Sequence, residues 1–214
     1  MAARPDGYIP AAGHDWLLPL YDPLLRHLLG EDALRRAILA HAEIGPGCRV
    51  LDVGCGTGTQ AVLAKQTHPD AEVVGVDGDD KALAIARSKA DRAGVAIAFD
   101  AGLATALPYA DARFDRVISS LVFHHLVEAD KRRVLAEILR VLAPGGAFVL
   151  VDFGEPLTVL ERIGAKLFLR GEHARENLEG RLPALLREAG FSRIEELAQR
   201  SIGVGRLWTW RARE

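Results

Sequence analysis

The chain has 214 residues, of which 49% are hydrophobic and 26% are charged, and its formal net charge at pH 7 is −2. This balance is ordinary for a globular domain, and the length predicts a single domain. A net charge so close to zero gives no indication of nucleic acid or of a strongly anionic membrane as a bulk partner.

The sequence shows no signal for export, membrane insertion or metal binding. The opening stretch MAARPDGYIPAAGHDW lacks the apolar core of a signal peptide, and no apolar run approaches the length of a membrane span. Cys48 and Cys55 belong to no CxxC pair and to no Cys/His set with ligand spacing. We therefore expect a cytoplasmic protein with free thiols, no metal and no integral membrane association.

An N-terminal segment, residues 1–44, precedes the first predicted strand. It begins as a loose arm without periodic pattern and continues as an apolar stretch at 14–29. Pro19 and Pro23 interrupt that stretch, which predicts short helical pieces rather than one helix. Residues 31–44 show a cleaner amphipathic pattern and predict a helix that ends at the following Gly-Pro-Gly.

Strands and helices alternate from residue 45 onward. The predicted strands share short, β-rich apolar runs and lie at 49–54, 72–77, 95–99, 114–120 and 147–153. The predicted helices between them share amphipathic patterns and lie at 59–68, 79–94 and 128–142. Apolar strands that alternate with amphipathic helices predict a parallel sheet covered on both faces. Ligands of such folds bind outside the carboxyl ends of the strands, near the first strand.

The residues after 153 are predicted to complete the same domain. A variable lid insert at 154–180 is followed by a closing helix and two strands within 181–214. The insert can cap an apolar acceptor, and the alternative is a surface helix with His173 and Arg175 in solvent. Residues 45–153 are the predicted ligand-binding core.

The stretch VLDVGCGTGT at 50–59 is a glycine loop, with an acid, Asp52, before glycines at alternate positions: Gly54, Gly56 and Gly58. It lacks the Gly-Lys pair of a P-loop. It also departs from the dinucleotide pattern, because Gly58 falls one residue early and Thr59 stands where a glycine is required. Asp52 would moreover repel a pyrophosphate. A ligand with a cation and a ribose but no phosphate fits better.

S-adenosylmethionine matches that description, because it carries a sulfonium, an amino-acid head group and an adenosine. Glycines allow the loop backbone to lie against the methionine portion. Asp77 ends the second strand 23 residues after Gly54, the spacing at which an acid accepts ribose hydroxyls. The alternative for Asp77 is a cap of the helix at 79–94, for which Asp79 and Asp80 are better placed.

Five motifs in order carry a resemblance to a known family: VLDVGCGTGT, VVGVD, ATALPYADARFDRVISSLVFHH, LAEILRVLAPGGAFVLVD and LLREAGF. The chain resembles class I S-adenosylmethionine-dependent methyltransferases, in their quinone-biosynthesis-like and small-molecule branch. The resemblance covers 45–153 strongly and 181–212 weakly. It implies a Rossmann-like α/β fold, a seven-stranded, mostly parallel sheet with an antiparallel last strand and helices on both faces.

The resemblance also implies S-adenosyl-L-methionine as the cofactor and a set of contacts to it. The methionine portion is assigned to the glycine loop, namely Asp52, Gly54, Cys55, Gly56, Thr57 and Gly58. The ribose is assigned to Asp77 with Gly78. Ser120, at the end of the fourth strand, matches a common cofactor contact, with a strand-end cap as the alternative. Tyr21, in the N-terminal segment, matches a residue that closes over the cofactor.

One position departs from the family pattern. Many members carry an acid or amide where this chain has Leu103, and that side chain bonds the adenine amino group. Adenine recognition is therefore expected to use the Ala104 backbone N–H and an apolar slot that includes Leu103. Asp100, three residues upstream, is the alternative.

Methyl transfer is an in-line displacement, and it needs a base only where the acceptor must lose a proton early. His124 and His125 follow the fourth strand, and we expect His124 to face the pocket as a catalytic base, with a structural or solvated histidine as the alternative.

The motif SSLVF disfavours DNA amino-methylation, and two cysteines do not suffice for arsenic methylation. A small, apolar acceptor remains, such as a quinone precursor, a lipid amine or a secondary metabolite. An inactive S-adenosylmethionine-binding module and an NAD-dependent oxidoreductase are the alternative functions, and the oligomeric state stays open.

Overall fold

A computed structural model describes residues 31–169, 172–202 and 205–214. The helices have these bounds: α1 Glu31–Ala42, α2 Thr59–Thr67, α3 Asp80–Ala93, α4 Glu128–Val141, α5 Val159–Phe168, α6 Arg175–Leu178 and α7 Leu182–Glu188. The strands have these bounds: β1 Arg49–Val53, β2 Glu72–Asp77, β3 Ala98–Ala101, β4 Phe114–Ser120, β5 Leu142–Phe153, β6 Arg193–Ser201 and β7 Arg206–Arg213.

The strands form one seven-stranded sheet in the order β3-β2-β1-β4-β5-β7-β6. β1 to β5 pair in parallel, whereas β7 lies antiparallel between β5 and β6. The predicted sheet with an antiparallel last strand is therefore confirmed. The strand order reverses between β1 and β4, so the carboxyl ends of these two strands flank a crevice suited to a ligand.

Two apolar cores cover the two faces of the sheet, as predicted. α1, α2 and α3 pack on one face through residues such as Ile38, Ala64 and Leu83. α4 and α7 pack on the other face, where Leu135 and Leu186 are fully buried. Strand residues contribute to both cores alternately, which explains their nearly continuous apolar sequence.

The structure moves the start of the third strand. The predicted strand begins at residue 95, whereas β3 begins at Ala98. Gly94 ends α3 in a left-handed conformation, and the Val95 N–H donates to the carbonyl of Ala90 at 3.1 Å. Val95 is thus part of the helix cap, so the ladder with β2 starts only after it.

The insert after β5 contains α5, a 3-10 turn at Glu172–Ala174 and α6. Within the described ranges, no helix is both long enough and apolar enough to cross a membrane.

Candidate functional site

The glycine loop connects β1 to α2 at the carboxyl edge of the sheet. Gly54, Gly56 and Gly58 all adopt left-handed backbone conformations, with φ values of 69°, 52° and 75°. The N–H groups of Gly54 and Cys55 both donate to the carbonyl of Val76, at 2.9 and 3.1 Å. The loop is therefore fixed to the end of the neighbouring strand.

The three glycines have different surroundings. A Cβ at Gly54 would lie 2.4 Å from Val122, and a Cβ at Gly58 would lie 2.7 Å from the Ala86 side chain. A Cβ at Gly56 would meet no atom within 4 Å. Packing thus explains Gly54 and Gly58, whereas Gly56 leaves open space beside the loop.

Asp52 lies beneath this loop and is buried, with 3% of its surface exposed. Its Oδ2 atom is inaccessible and has no hydrogen-bond partner. Burial raises the Asp52 pKa from 3.8 to about 7, although nearby Arg35 acts to lower the pKa. A buried carboxylate oxygen without a partner is costly, and a cationic ligand would compensate that cost.

Asp77 connects the loop to the end of β2. Its Oδ2 accepts the Gly56 N–H at 2.8 Å, and its Oδ1 accepts the Asp79 N–H at 2.9 Å. Burial raises the pKa of Asp77, although hydrogen bonds from backbone N–H groups, including that of Gly78, act to lower it. The carboxylate therefore keeps acceptor capacity for another donor.

Asp79, rather than Asp77, caps α3, because its side chain accepts the Lys81 N–H at 2.9 Å. The cap suggested as an alternative role for Asp77 is therefore provided by its neighbour, as the sequence indicated.

Two loop side chains contact other parts of the protein. The Cys55 sulfur is buried and would meet a Cβ on Gly75 at 2.9 Å, and burial raises the pKa of this thiol far above its usual value. The Thr57 hydroxyl accepts a hydrogen bond from Lys89 Nζ at 2.7 Å, as does Thr59. Cys55 and Thr57 therefore contribute backbone, not a reactive side chain, to the loop.

The segment assigned to adenine follows β3. Leu103 is 39% exposed, and Ala104 packs on the edge of the core formed with α4. Asp100 accepts a hydrogen bond from the Tyr109 hydroxyl at 3.0 Å. The Gly102 N–H donates to the Asp77 carbonyl at 3.0 Å, which holds this segment next to the assigned ribose acid.

The end of β4 turns sharply. Ser120 is its last residue and is partly buried, whereas Ser119 donates its hydroxyl to the Val53 carbonyl at 3.1 Å. Leu121 follows with a φ of 60°, and its N–H donates to the Val151 carbonyl at 2.8 Å. This turn leads directly into the short helix Phe123–His125.

His124 is paired with an acid that the sequence analysis missed. The His124 Nδ1 atom lies 2.8 Å from Asp152 Oδ1, and Asp152 is completely buried. The Phe123 N–H donates to Asp152 Oδ2 at 2.7 Å, and Asn177 Nδ2 donates to Oδ1 at 3.1 Å. The available signal was an acid inside the apolar strand FVLVDF. A carboxylate held in this way fixes the ring orientation and makes Nε2 the basic nitrogen.

The His125 ring packs against the His124 ring at a tilt of 42°, with ring centroids 3.9 Å apart. Burial, with a smaller contribution from the adjacent His124, lowers the His125 pKa to about 4. His125 is therefore neutral near pH 7 and supports the His124 ring.

A second buried pair lies behind the histidines. Lys131 Nζ, which is fully buried, donates to Glu176 Oε2 at 2.7 Å and to the His173 carbonyl at 2.6 Å. His173 is partly buried rather than solvated, and its Nδ1 atom is inaccessible, which corrects the surface alternative for that residue. Arg175 is exposed and pairs with Glu179.

Tyr21 lies outside the described residues. The other predicted site residues cluster around the carboxyl ends of β1, β2 and β4 and the segment after β3. Among the residues with described positions, no cluster of three His, Cys, Asp or Glu side chains could hold a metal ion.

Comparisons with known proteins identify relatives of this chain. A family model described as "Methyltransferase domain" matches residues 50–146. The demethylmenaquinone methyltransferase of Deinococcus radiodurans is 42% identical over 159 residues, which cover 73% of this chain and 64% of that protein. The demethylmenaquinone methyltransferase of Clavibacter sepedonicus is 32% identical over 193 residues, covering 78% of this chain and 75% of that protein.

A solved structure shows the same fold. The phosphoethanolamine N-methyltransferase 2 of Haemonchus contortus, solved with S-adenosyl-L-methionine, has a TM-score of 0.78 at 18% identity. The match covers 100% of this chain and 60% of that chain. This chain therefore spans less than two thirds of that neighbour, and the same holds for the Deinococcus relative.

Proposed function

We propose, from the premise that this chain belongs to the S-adenosylmethionine-dependent methyltransferase family, that it transfers a methyl group from S-adenosyl-L-methionine to a small, apolar acceptor. The relatives named above act, by their names, on demethylmenaquinone. We therefore favour a quinone precursor over a lipid amine or a secondary metabolite as the acceptor class.

The observation that carries this proposal is the unpaired, buried Oδ2 of Asp52 beneath an open glycine loop. The residues present fit the cofactor. Asp52 would compensate its positive charge, the loop around Gly56 would adjoin its methionine portion, and Asp77 would accept its ribose hydroxyls. Leu103 and Ala104 would adjoin the adenine.

When bound, S-adenosylmethionine supplies an electrophilic methyl group with a good neutral leaving group. The protein must then hold the acceptor in line and exclude water. An aromatic alcohol becomes a much better carbon nucleophile once it loses its hydroxyl proton. His124 is the residue we propose to accept that proton at Nε2, because Asp152 engages its Nδ1 atom at 2.8 Å.

Two alternatives receive less support. An NAD-dependent oxidoreductase is disfavoured because the buried Asp52 would face the pyrophosphate of the dinucleotide. A module that binds the cofactor without catalysis is disfavoured by the buried, fully oriented pair of His124 and Asp152.

Calorimetric titration with S-adenosylmethionine, its demethylated product and NADH tests the cofactor assignment. We expect saturable binding of the first two and none of NADH. Transfer of labelled methyl from the cofactor to a reduced, short-chain demethylated naphthoquinone then tests the acceptor class. Binding of NADH without S-adenosylmethionine would refute the proposal.

His124→Gln and Asp152→Asn test the proposed base and its positioning residue. We expect His124→Gln to lower kcat about 100-fold, with little change in cofactor affinity. Asp152→Asn should lower kcat by a similar factor while leaving the KM for cofactor nearly unchanged, because the ring loses its orientation. A purely structural pair would instead lower the melting temperature and leave kcat of the folded fraction intact.

A further inference from the structure

Helix α5 packs on the protein through its polar side. Thr158 and Glu161 form a capping box, in which the Glu161 N–H donates to the Thr158 hydroxyl at 3.2 Å. Glu161 is buried, and its Oε1 accepts from Arg206 Nη2 at 2.8 Å. Ala165, one turn later, is also buried. The inner face of this helix therefore contacts the protein through an ion pair and a small side chain.

The opposite face of α5 is apolar and exposed. Its large aliphatic residues, together with the one preceding the helix, are between 50% and 72% exposed: Leu157, Val159, Leu160, Ile163 and Leu167. The spacing of these residues places them along one side of the helix. A surface helix of a globular protein normally has the reverse orientation. A contiguous exposed apolar stripe of this kind marks an interaction surface.

Two cations accompany this stripe. Arg162 and Lys166 are both exposed on α5, whereas the only acid of the helix, Glu161, is turned inward and paired. An apolar stripe flanked by cations, on a helix that does not span a membrane, is the pattern of a helix lying in the plane of a bilayer surface. The near-neutral net charge of the chain conceals this local arrangement.

The position of α5 relates the stripe to the site. The helix follows β5, whose end holds Asp152, and Arg206 connects it to the start of β7. Phe153 pairs with Leu207 between these two strands. The stripe thus lies at the carboxyl edge of the sheet, on the same edge as the glycine loop.

We propose that the outer face of α5 docks this protein on the surface of an anionic lipid bilayer. The inference deepens the proposed function, on which it rests in one respect: an apolar acceptor partitions into the bilayer and would reach the site from that edge. Docking would bring the carboxyl edge of the sheet to the surface where the acceptor is concentrated.

Cosedimentation of the full chain with vesicles tests the proposal. We expect binding to vesicles of phosphatidylcholine with phosphatidylglycerol, and much weaker binding to phosphatidylcholine alone or in high salt. Leu160→Gln with Ile163→Gln should reduce vesicle binding at least tenfold. Arg162→Gln and Lys166→Gln should each reduce it about fivefold.

Matched controls separate this surface from general effects. Val127→Gln removes another exposed apolar side chain, and Arg133→Gln removes an exposed cation from α4, so both should bind vesicles like the parent protein. Equal vesicle binding by the parent and the Leu160/Ile163 variant would overturn the proposal. Absence of vesicle binding by the parent protein would also overturn it, as would self-association of the chain through this stripe. Calorimetric binding of S-adenosylmethionine, measured without vesicles, distinguishes this failure from failure of the proposed function.

Discussion

Gly56 and Gly58 share a left-handed backbone but serve the loop in different ways. Gly58 is confined by Ala86 and Phe99, whereas Gly56 faces open space. Steric exclusion by these neighbours explains Gly58. At Gly56 the described structure shows only the left-handed backbone as a reason for glycine, and we propose that close approach of the ligand is a second reason.

Alanine substitutions separate these two roles. Gly58→Ala should lower the free energy of unfolding by about 2–4 kcal/mol, from a strained backbone and overpacking. Gly56→Ala should cost only about 1–2 kcal/mol of stability yet weaken S-adenosylmethionine binding more than about tenfold. Urea unfolding and calorimetric titration measure the two effects.

Gly145→Ala is the matched control, because Gly145 also has a positive φ of 76° and open surroundings but belongs to no predicted site contact. It should show the backbone cost without a change in affinity. Normal cofactor affinity in Gly56→Ala would remove the loop from the site.

The buried acid Asp52 predicts a pH dependence of cofactor binding. Its pKa of about 7 means that it is mostly protonated at pH 6 and mostly ionised at pH 8. A cation binds the ionised form, so the association constant should rise about tenfold per pH unit below 7 and level off above 8. Calorimetry at several pH values measures this dependence, and Asp52→Asn should abolish it.

Asp52 also affects the stability of the fold, and this effect has the opposite pH dependence. Its folded-state pKa is raised from 3.8, so its favourable effect on folding is complete below pH 3.8 and is lost as the pH rises through 7. If cofactor affinity of Asp52→Asn kept the pH dependence of the parent protein, another group would be its cause.

The positions of single residues were predictable where they depend on a nearby sequence pattern. Asp52, Asp77 and the alternate glycines follow from their places at strand ends. Asp152 did not follow, because its importance depends on a turn at Leu121 that brings His124 back over the end of β5. No short-range pattern records that contact.

At the scale of elements, Lys131 joins α4 to the segment that carries α6. Its ammonium group is fully buried between Glu176 and the His173 carbonyl. Lys131→Met should therefore lower the free energy of unfolding by about 3–5 kcal/mol, because it leaves the largely buried Glu176 carboxylate without its cation. Urea unfolding measures the loss.

Two further variants serve as controls for the stability of Lys131→Met. Lys131→Met combined with Glu176→Gln should recover part of the stability, since no buried charge remains. Arg133→Met, on the same helix, should have little effect because Arg133 is exposed. An Lys131→Met protein as stable as the parent would show that the pair contributes no net stability.

Element types were largely predictable, whereas the orientation of α5 was not. The amphipathic patterns of α3 and α4 predict helices whose apolar sides face the sheet, and both do. The same reasoning applied to α5 would bury its aliphatic residues. A capping box and the Glu161–Arg206 pair fix the opposite face inward, and such long-range ionic contacts have no periodic signature.

At the scale of the whole molecule, the proposed cofactor should stabilise the fold. A ligand present at 100 times its Kd contributes about 2.7 kcal/mol, which for a domain of this size raises the Tm by about 5–10 °C. S-adenosylmethionine should produce this shift in a thermal melt. NADH should produce none, and Asp52→Asn should reduce the effect of S-adenosylmethionine. A shift with NADH alone would contradict the assigned ligand.

The sheet as a whole was predictable only in part. Alternating elements predict parallel strands, and the family resemblance implies an antiparallel last strand, but neither specifies that β7 lies between β5 and β6. The closing strands β6 and β7 could equally form a hairpin at the sheet edge with β6 against β5. Apolar contacts of β7 residues such as Trp210 and Ala212 with the core decide the order.

That order has a consequence for synthesis. A ribosome produces β6 before β7, yet among the described strands β6 pairs with β7 alone. Until β7 has emerged, the first five strands can assemble with β5 as an open edge, and β6 has no place to join them. The nascent chain therefore leaves β5 without one neighbour and β6 without any, and insertion of β7 alone supplies a partner to both.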